Sequence, residues 1–162
     1  MIKESKTAED TTDRELIVSR LLNAPRELVF KVWTSPKHVA KWWGPDGFTN
    51  TVQEMDVRPG GIWRVIMHGP NGIDYPNKII YTDVVEPERL VYVHGSDIGN
   101  DPDQFQTTVT FEAKGNKTLL TMHAVFVSAE EFNRVVKEYG ALEGNRQTLN
   151  RLEELLSKIQ ES

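Results

Sequence analysis

The sequence contains no cysteine among its 162 residues, which excludes disulfide bonds, thiolate metal ligands and a cysteine nucleophile. It has no apolar run of about 18 residues, the length that a membrane-spanning helix needs. The N-terminal segment MIKESKTAEDTTDRE is polar and lacks the apolar stretch of a secretory signal. We therefore expect a cytoplasmic protein that does not insert into membranes.

Basic residues are fewer than acidic ones. Nineteen lysines and arginines against 24 aspartates and glutamates give a net charge of -5, and the basic residues form no run. Affinity for nucleic acid rests largely on the neutralisation of phosphates by basic side chains. A nucleic-acid partner is therefore not expected.

Motifs for catalysis and for cofactors are also missing. No serine stands in a Gly-x-Ser-x-Gly turn. The sequences GPDG and GPNG lack the Lys-Ser/Thr that completes a phosphate-binding loop. No spacing brings three metal ligands together. We expect no catalytic residue, no metal and no other cofactor, and a binding protein rather than an enzyme.

The chain does contain aromatic residues beside tight turns. The segment KWWGPDGF at residues 41–48 is followed by DVRPGGIWR at residues 56–64. Aromatic side chains that flank turns are well placed to line the opening of a ligand site. The two segments therefore predict the mouth of a deep pocket.

The distribution of apolar residues predicts a flexible tail over residues 1–13 and a single domain over residues 14–162. A strand, ELIVSRLL, begins the domain and leads into two short helices. Pro25 stands in the first turn of one helix, and Ser35 caps the other. The strands of a sheet follow.

A single long helix is predicted at the C-terminal end. Ser128 and Glu131 have the spacing of a capping box, and an apolar stripe continues from Phe132 to Ile159. At 1.5 Å per residue, a helix of that length spans roughly 45 Å. We expect it to cover one face of the sheet.

The last two strands, residues 105–114 and 117–127, indicate their own register. A two-residue turn at Gly115-Asn116 places apolar residues opposite apolar residues on one side and polar opposite polar on the other. The apolar pairs are Phe111–Leu120, Val109–Met122 and Phe105–Phe126. This pattern is typical of an antiparallel sheet with one covered face.

The first hairpin turns at the sequence RPGG. Met55 is expected on its inner face, opposite Val65 or, if the pairing slips by two residues, opposite Trp63. Asp56 is expected to form an exposed ion pair with Arg64 on the outer face, worth at most about 1 kcal/mol.

The register of the middle strands, residues 78–85 and 89–95, stays open between two phases. In the simplest pairing, His94 lies beside Tyr81 and Asp83 beside Tyr92. Such a polar cluster at the end of an apolar tunnel could orient a hydroxyl or carboxylate of a ligand, or perform acid–base chemistry. The alternative buried phase is Ile80, Thr82, Val84, Val91 and Val93.

Five motifs in a fixed order carry a resemblance to a known family. They are APRELVFKVWTSP, KWWGPDGF, DVRPGGIWR, GPNG and EPERLVY. The chain resembles the SRPBCC (START-like, or birch-pollen-allergen-like) superfamily, and within it the bacterial branch of the activator of heat-shock-protein-90 ATPase homologue family. The resemblance implies an α+β helix-grip fold, in which a curved antiparallel sheet wraps around a long C-terminal helix and encloses an elongated apolar cavity.

The resemblance also implies binding of a small hydrophobic molecule, lipid-like or aromatic polyketide-like, without fixing its identity. The chain departs from the family where many members carry a Gly-Trp pair midway along the last helix, since it has Gly144-Asn145. A compact amide in place of a ring would enlarge the cavity and supply a hydrogen bond to the ligand. The alternative is that Gly144-Asn145 marks a kink in the helix.

The side chains expected to line the cavity are aromatic, flexible and apolar, or polar at its end. They are Trp43, Phe48, Met55, Trp63, Val65, Met67, Tyr81, Tyr92, His94, Val109, Met122, Phe132, Val136, Tyr139 and Asn145.

Three functions follow from these observations. The leading one is the binding of a small hydrophobic molecule by a monomer. The second is a cyclase or hydrolase that uses the polar cluster. The third is a chaperone-binding module, as the family name suggests, although that role in eukaryotic relatives depends on a further domain. A long apolar cavity favours the first two, and an exposed apolar patch on the convex face favours the third.

Overall fold

The structure, a computed structural model, describes residues 11–97, 104–138 and 140–161. An antiparallel sheet of seven strands, in the order β1-β7-β6-β5-β4-β3-β2, curves around a C-terminal helix. The strands are β1 (Glu15–Leu22), β2 (Thr49–Met55), β3 (Ile62–His68), β4 (Asp74–Val85), β5 (Arg89–Ser96), β6 (Phe105–Lys114) and β7 (Lys117–Val125).

Four α-helices complete the described part of the chain. Helices α1 (Arg26–Thr34) and α2 (Pro36–Trp42) connect β1 to β2, and α3 (Ala129–Asn133) and α4 (Ala141–Glu161) follow β7. The α+β helix-grip architecture predicted from the sequence is confirmed. None of the helices in the described ranges is long and apolar enough to cross a membrane.

The predicted N-terminal tail falls mostly outside the described residues, which begin at Thr11. The last part of that tail enters a short 3-10 helix, Thr12–Arg14, directly before β1. The bounds of the single domain stay a prediction.

The last hairpin has the predicted register. Lys114 lies opposite Lys117 and Val109 opposite Met122. The pair of phenylalanines expected at its open end is also in contact, since the rings of Phe105 and Phe126 stack with centroids 5.1 Å apart. A two-residue turn left the chain no other pairing that kept the apolar face intact.

The middle hairpin does not have the simplest pairing. Tyr81 lies opposite Tyr92, and the register shifts at a bulge before Asp83. The connection at residues 86–88 has three residues instead of two, and the bulge adds a further residue, so the pairing is displaced by two. Asp83 consequently lies away from the tyrosines and forms an exposed ion pair with Arg89 at 2.8 Å. The predicted four-residue polar cluster is wrong.

The inner face of these two strands carries Ile79, Tyr81, Leu90 and Tyr92, all of them buried. The alternative phase, which placed Ile80, Thr82, Val84, Val91 and Val93 inside, is therefore wrong as well, except at Val84, which lies beyond the bulge opposite Leu90 and packs against the core.

Strand β4 begins earlier than the sequence indicates. Residues before the expected start at residue 78 are already paired in the sheet, since Tyr75 lies opposite Met67 and Pro76 opposite Ile66. The pairing of β4 with β5 starts only at Asn77. A proline without an N–H is tolerated at Pro76 because one side of the strand lacks a full ladder there.

The first hairpin follows the slipped alternative, with Met55 opposite Trp63 and a register shift between Val52 and Glu54. The shift brings Glu54, instead of Asp56, beside Arg64, and these two side chains form an ion pair. The predicted pair of Asp56 with Arg64 is wrong.

The C-terminal helix is broken, whereas the apolar stripe predicted one continuous helix. A π-helical turn, Arg134–Glu138, follows α3. Gly140 then has a φ of +62°, a left-handed conformation that favours glycine and ends the first segment. The alternative break at Gly144-Asn145 is also wrong, because the N–H of Gly144 donates a helical hydrogen bond of 2.9 Å to the carbonyl of Gly140.

The start of that helix has half of the predicted capping box. The hydroxyl of Ser128 accepts a hydrogen bond of 3.0 Å from the N–H of Glu131. The carboxylate of Glu131 does not close the box; it pairs with Arg134, with two N–O distances of 2.7 and 2.6 Å.

Four tryptophans form the centre of the core. Trp33 and Trp42 have ring centroids 4.7 Å apart, Trp42 and Trp43 5.5 Å, and Trp43 and Trp63 4.8 Å, all in edge-to-face contact. Edge-to-face pairs of this kind add about 0.5–1.5 kcal/mol each to the stabilisation from buried area. The row joins α1 and α2 to β3, so the two short helices close one end of the sheet.

Two glycines give a matched test of the turn between β2 and β3. A β-carbon at Gly61 would lie 1.9 Å from the backbone oxygen of Asp56, whereas one at Gly144 meets only Pro45 at 3.6 Å. We expect Gly61→Ala to destabilise the fold by more than about 2 kcal/mol. Gly144→Ala should stabilise it by about 0.5–1 kcal/mol, because alanine favours a helix. Urea denaturation measures the free energy of unfolding of both variants. Equal changes in Gly61→Ala and Gly144→Ala would contradict the described turn.

Candidate functional site

A cavity of about 360 Å³ lies between α4 and the inner face of the sheet. Its wall draws on β1, β3 and the last three strands, on the turn after α2, and on both segments of the broken C-terminal helix. Most of the side chains on the wall are apolar. Trp42 and Trp43 bound the cavity on the side of α2, and inner residues of β1 and β7 bound it on another side.

Six of the side chains predicted to line a cavity lie on this wall. They are Trp43, Met67, Tyr92, His94, Met122 and Asn145. Their role in binding a ligand stays a prediction.

Four others are buried in the interior but are not on the wall. They are Trp63, Val65, Tyr81 and Val109, which are buried in the core. Met55 packs against the same core from its edge.

The remaining predicted residues also lie away from the wall. The ring of Phe48 has its centroid 6.0 Å from that of Tyr75, and Phe132 packs on Phe126 at 5.8 Å. Val136 is absent from the wall, and Tyr139 lies outside the described residues.

Several wall residues were missed in the sequence. Leu16 and Val18 come from the alternate positions of β1 that face inward, and Phe105, Ala124 and Phe126 come from the last hairpin. The register of that hairpin was available from its turn, so its inner positions could have been included. The contribution of β1 required knowing that β1 pairs with β7.

Most polar groups on the wall are already hydrogen-bonded within the protein. The hydroxyl of Tyr92 bonds with that of Thr107, while burial raises the pKa of this phenol well above its usual range. Thr148 donates to the carbonyl of Gly144 at 2.9 Å. The cavity therefore presents a mainly apolar surface, and Tyr92 stays a neutral phenol at physiological pH.

Asn145 is different from these groups. It reaches the cavity wall from the second turn of α4. Its side-chain amide bonds to none of the described residues, so it can offer a donor or an acceptor to a molecule in the cavity.

His94 marks one end of the cavity. The centroid of its ring lies 4.9 Å from that of Phe105 and 6.2 Å from that of Trp43. Its Nε2 lies 3.0 Å from Oδ1 of Asn77. The amide nitrogen of Asn77 donates to the carbonyl of Tyr75 at 2.9 Å, which fixes the orientation of the amide. Nε2 of His94 must therefore carry the hydrogen and donate it.

The turn that carries Trp43 is held by an arginine that no sequence motif indicated. The guanidinium of Arg151, on α4, donates hydrogen bonds to five backbone carbonyls between Lys41 and Phe48, at distances from 2.7 to 3.2 Å. Burial lowers the pKa of Arg151, although an arginine remains charged. One side chain thus ties the last helix to the turn beside the cavity.

Other polar clusters lie away from the cavity. His68 bridges Thr51 and Asp74 on the outer face of the sheet, with distances of 2.8 and 2.7 Å from its two ring nitrogens. Such a chain matches the order of a hydrolase triad, but Thr51 and Asp74 are exposed and lie outside the cavity. Among the residues that the structure describes, no group of three His, Asp or Glu side chains could hold a metal ion.

A curved antiparallel sheet that grips a C-terminal helix around an apolar cavity defines the START-like class of proteins. The model of one family in that class, described as "Activator of Hsp90 ATPase homolog 1-like protein", matches residues 23–157. The chain belongs to this family, in its bacterial branch. A search of curated proteins found no match.

Solved structures of bacterial proteins share the fold. A crystal structure of a protein from Mycobacterium smegmatis is 27% identical, with a TM-score of 0.81, and the match covers 91% of this chain and 93% of that one. One from Chromobacterium violaceum is 25% identical, with a TM-score of 0.77 and coverage of 88% and 96%. A solution structure from Arthrobacter aurescens, at 24% identity and a TM-score of 0.84 with coverage of 93% and 90%, shows the fold alone.

The hydrogen bonds of Arg151 give the second prediction. We expect Arg151→Met to lower the free energy of unfolding by about 2–4 kcal/mol, because five carbonyls lose a charged donor in a partly buried site. The near-ultraviolet circular dichroism of the tryptophans should change with it. Arg146→Met, which breaks only the exposed pair with Glu143, should stay within about 0.5 kcal/mol of the parent. Equal losses in the two variants would contradict the role of Arg151.

Proposed function

We propose that this protein binds a small, mainly apolar molecule in the cavity between α4 and the sheet. The supporting observation is the cavity itself, whose wall is apolar apart from groups that are largely bonded to one another. A site of this kind, with few polar groups that fix orientation, is typical of small-molecule binding. In the same proposal the protein acts as a cytoplasmic monomer.

The size of the cavity narrows the class of ligand. A volume of about 360 Å³ is at the lower end of the range for small-molecule sites, roughly 300–1,000 Å³. It corresponds to about a dozen water molecules at about 30 Å³ each. A compound with one or two rings, or a short acyl chain, suits this volume better than a sterol or a lipid with two chains.

Binding is preferred to catalysis because the predicted acid–base cluster lacks its carboxylate, although Tyr81 and Tyr92 lie opposite each other. Asp83 is engaged by Arg89 on the outer surface, and Tyr81 and Tyr92 are buried phenols whose pKa values are raised by burial.

A chaperone-binding role is supported by a small exposed apolar patch, which consists of Ile17 and Leu21 on the outer face of β1. Two exposed side chains are common on any protein surface.

A cavity-filling variant tests the proposal. Ala124 lies on the wall, so Ala124→Trp should occupy the space that a ligand needs. Ala113→Trp, at an exposed position of β6, is the matched control. In a thermal-shift screen of small aromatic and short acyl compounds, a ligand at 100 times its Kd stabilises by about 2.7 kcal/mol. That raises the melting temperature by roughly 5–10 °C at this chain length.

We expect the parent protein and Ala113→Trp to show this shift with a chemically coherent set of compounds, and Ala124→Trp to lose it. Circular dichroism verifies that each variant is folded. Shifts that persist in folded Ala124→Trp would place the ligand elsewhere, and the absence of any shift in the parent across the panel would contradict the proposal.

Asn145 provides a separate test of the wall. Asn145→Trp should weaken binding at least about 10-fold by filling the cavity, while Asn145→Leu keeps the volume and removes the hydrogen-bonding amide. A loss of about 3- to 10-fold in the leucine variant would indicate a hydrogen bond to the ligand. Isothermal titration of a hit from the screen measures both variants, and unchanged affinity in Asn145→Trp would show that the ligand does not reach α4.

A further inference from the structure

A second, polar pocket of about 240 Å³ adjoins the apolar cavity. The two spaces share three wall residues, which are His94, Phe105 and Val135. Beyond these shared side chains the polar pocket is formed by Asn77, Ser96, Glu131 and Arg134, together with Gly95. An apolar space therefore passes into a polar one at His94.

The side chain of His94 has an apolar side and a polar side. Its ring lies beside those of Phe105 and Trp43, which belong to the apolar cavity. Its Nε2 edge is turned to Asn77, which belongs to the polar pocket. The amide of Asn77 donates in turn to the carbonyl of Tyr75, so the orientation of the His94 ring is set before a ligand binds. This reduces the entropic cost of orienting the ligand.

Among the residues that the structure describes, the charged side chains that line the polar pocket are Glu131 and Arg134. Glu131 and Arg134 are joined by two hydrogen bonds of 2.7 and 2.6 Å, and the side chain of Glu131 is only 9% exposed. Because the two charges cancel, a carboxylate or an ammonium group brought into this pocket would lose its water without gaining a net opposite charge, which is unfavourable.

We propose that the ligand is amphipathic, with an apolar body in the cavity and an uncharged hydrogen-bonding head, such as a hydroxyl or an amide, in the polar pocket beside His94. This inference rests on the proposed function. A hydroxyl or amide both donates and accepts hydrogen bonds, so it can accept from the guanidinium of Arg134, donate to the carboxylate of Glu131, and do either with the amide and hydroxyl groups around it. A wholly apolar ligand that extended into this pocket would displace water from these groups without replacing its hydrogen bonds.

Four probes with one apolar body and different heads test the inference. They are butylbenzene, 4-butylphenol, 4-butylbenzamide and 4-butylbenzoate, titrated by calorimetry at pH 7.5, where the phenol is neutral and the benzoate charged. We expect the phenol and the amide to bind at least about 10-fold more tightly than butylbenzene and the benzoate. A purely apolar site gives a different order, with butylbenzene tightest because it loses least on leaving water.

A variant at the junction provides the control. His94→Phe keeps a ring of similar size and removes the polar edge, so the preference for the phenol and the amide should fall below about 3-fold while butylbenzene still binds. His68→Phe, on the outer face of the sheet, should retain the full preference. If His94→Phe fails to fold, Asn77→Leu removes the partner that fixes the ring and should reduce the preference in the same way.

The possible results separate the two proposals. If none of the four probes binds and the wider panel is also silent, the proposed function fails. If the probes bind but follow their hydrophobicity, or if the preference survives in folded His94→Phe, the cavity still binds ligands and the assignment of the head to the polar pocket is overturned.

Discussion

The hydrogen bonds from Arg151 to the backbone between Lys41 and Phe48 are the interaction on which the rest of the structure depends. They join the C-terminal helix to the turn at the end of α2, and that turn carries Trp42 and Trp43. Without Arg151 these carbonyls would lose a charged donor beside the core. Those of Trp43 and Pro45 accept a second hydrogen bond, from the amide of Asn50 and from the N–H of Phe48 respectively. The helix and the turn are therefore positioned together, and the cavity lies between them.

The tryptophan row and the broken helix explain where the cavity is. Four large rings fill the space between the short helices and β3, and the cavity begins beside Trp42 and Trp43 of this row. At the other end, the chain leaves its helical path at Gly140, and the small residues Ala141 and Gly144 face the sheet. Close packing at one end and small side chains at the other concentrate the open space under β1, β6 and β7.

The sequence predicted those parts of the fold in which local chemistry determines geometry. The turn at Gly115-Asn116 has one pairing that keeps apolar residues together, and the structure has that pairing. The register around Tyr81 was not predictable in this way, because a three-residue connection and a bulge at Thr82 leave no distinctive residue pattern. Arg151 was missed because its partners are backbone carbonyls, which every residue possesses. The site was found only in part, since the position of a void depends on the summed volumes of all its neighbours.

The methionines allow the most direct measurement of the central claim, that a small molecule occupies this particular cavity. Met67 and Met122 lie on its wall, whereas Met55 packs against the core outside it. In a titration of the ¹³C-methyl-methionine-labelled protein with 4-butylphenol, followed by NMR, the account predicts that the methyl signals of Met67 and Met122 shift with saturation and that the signal of Met55 stays in place. Saturable shifts of Met55 alone, or of no methionine while calorimetry reports binding, would contradict it.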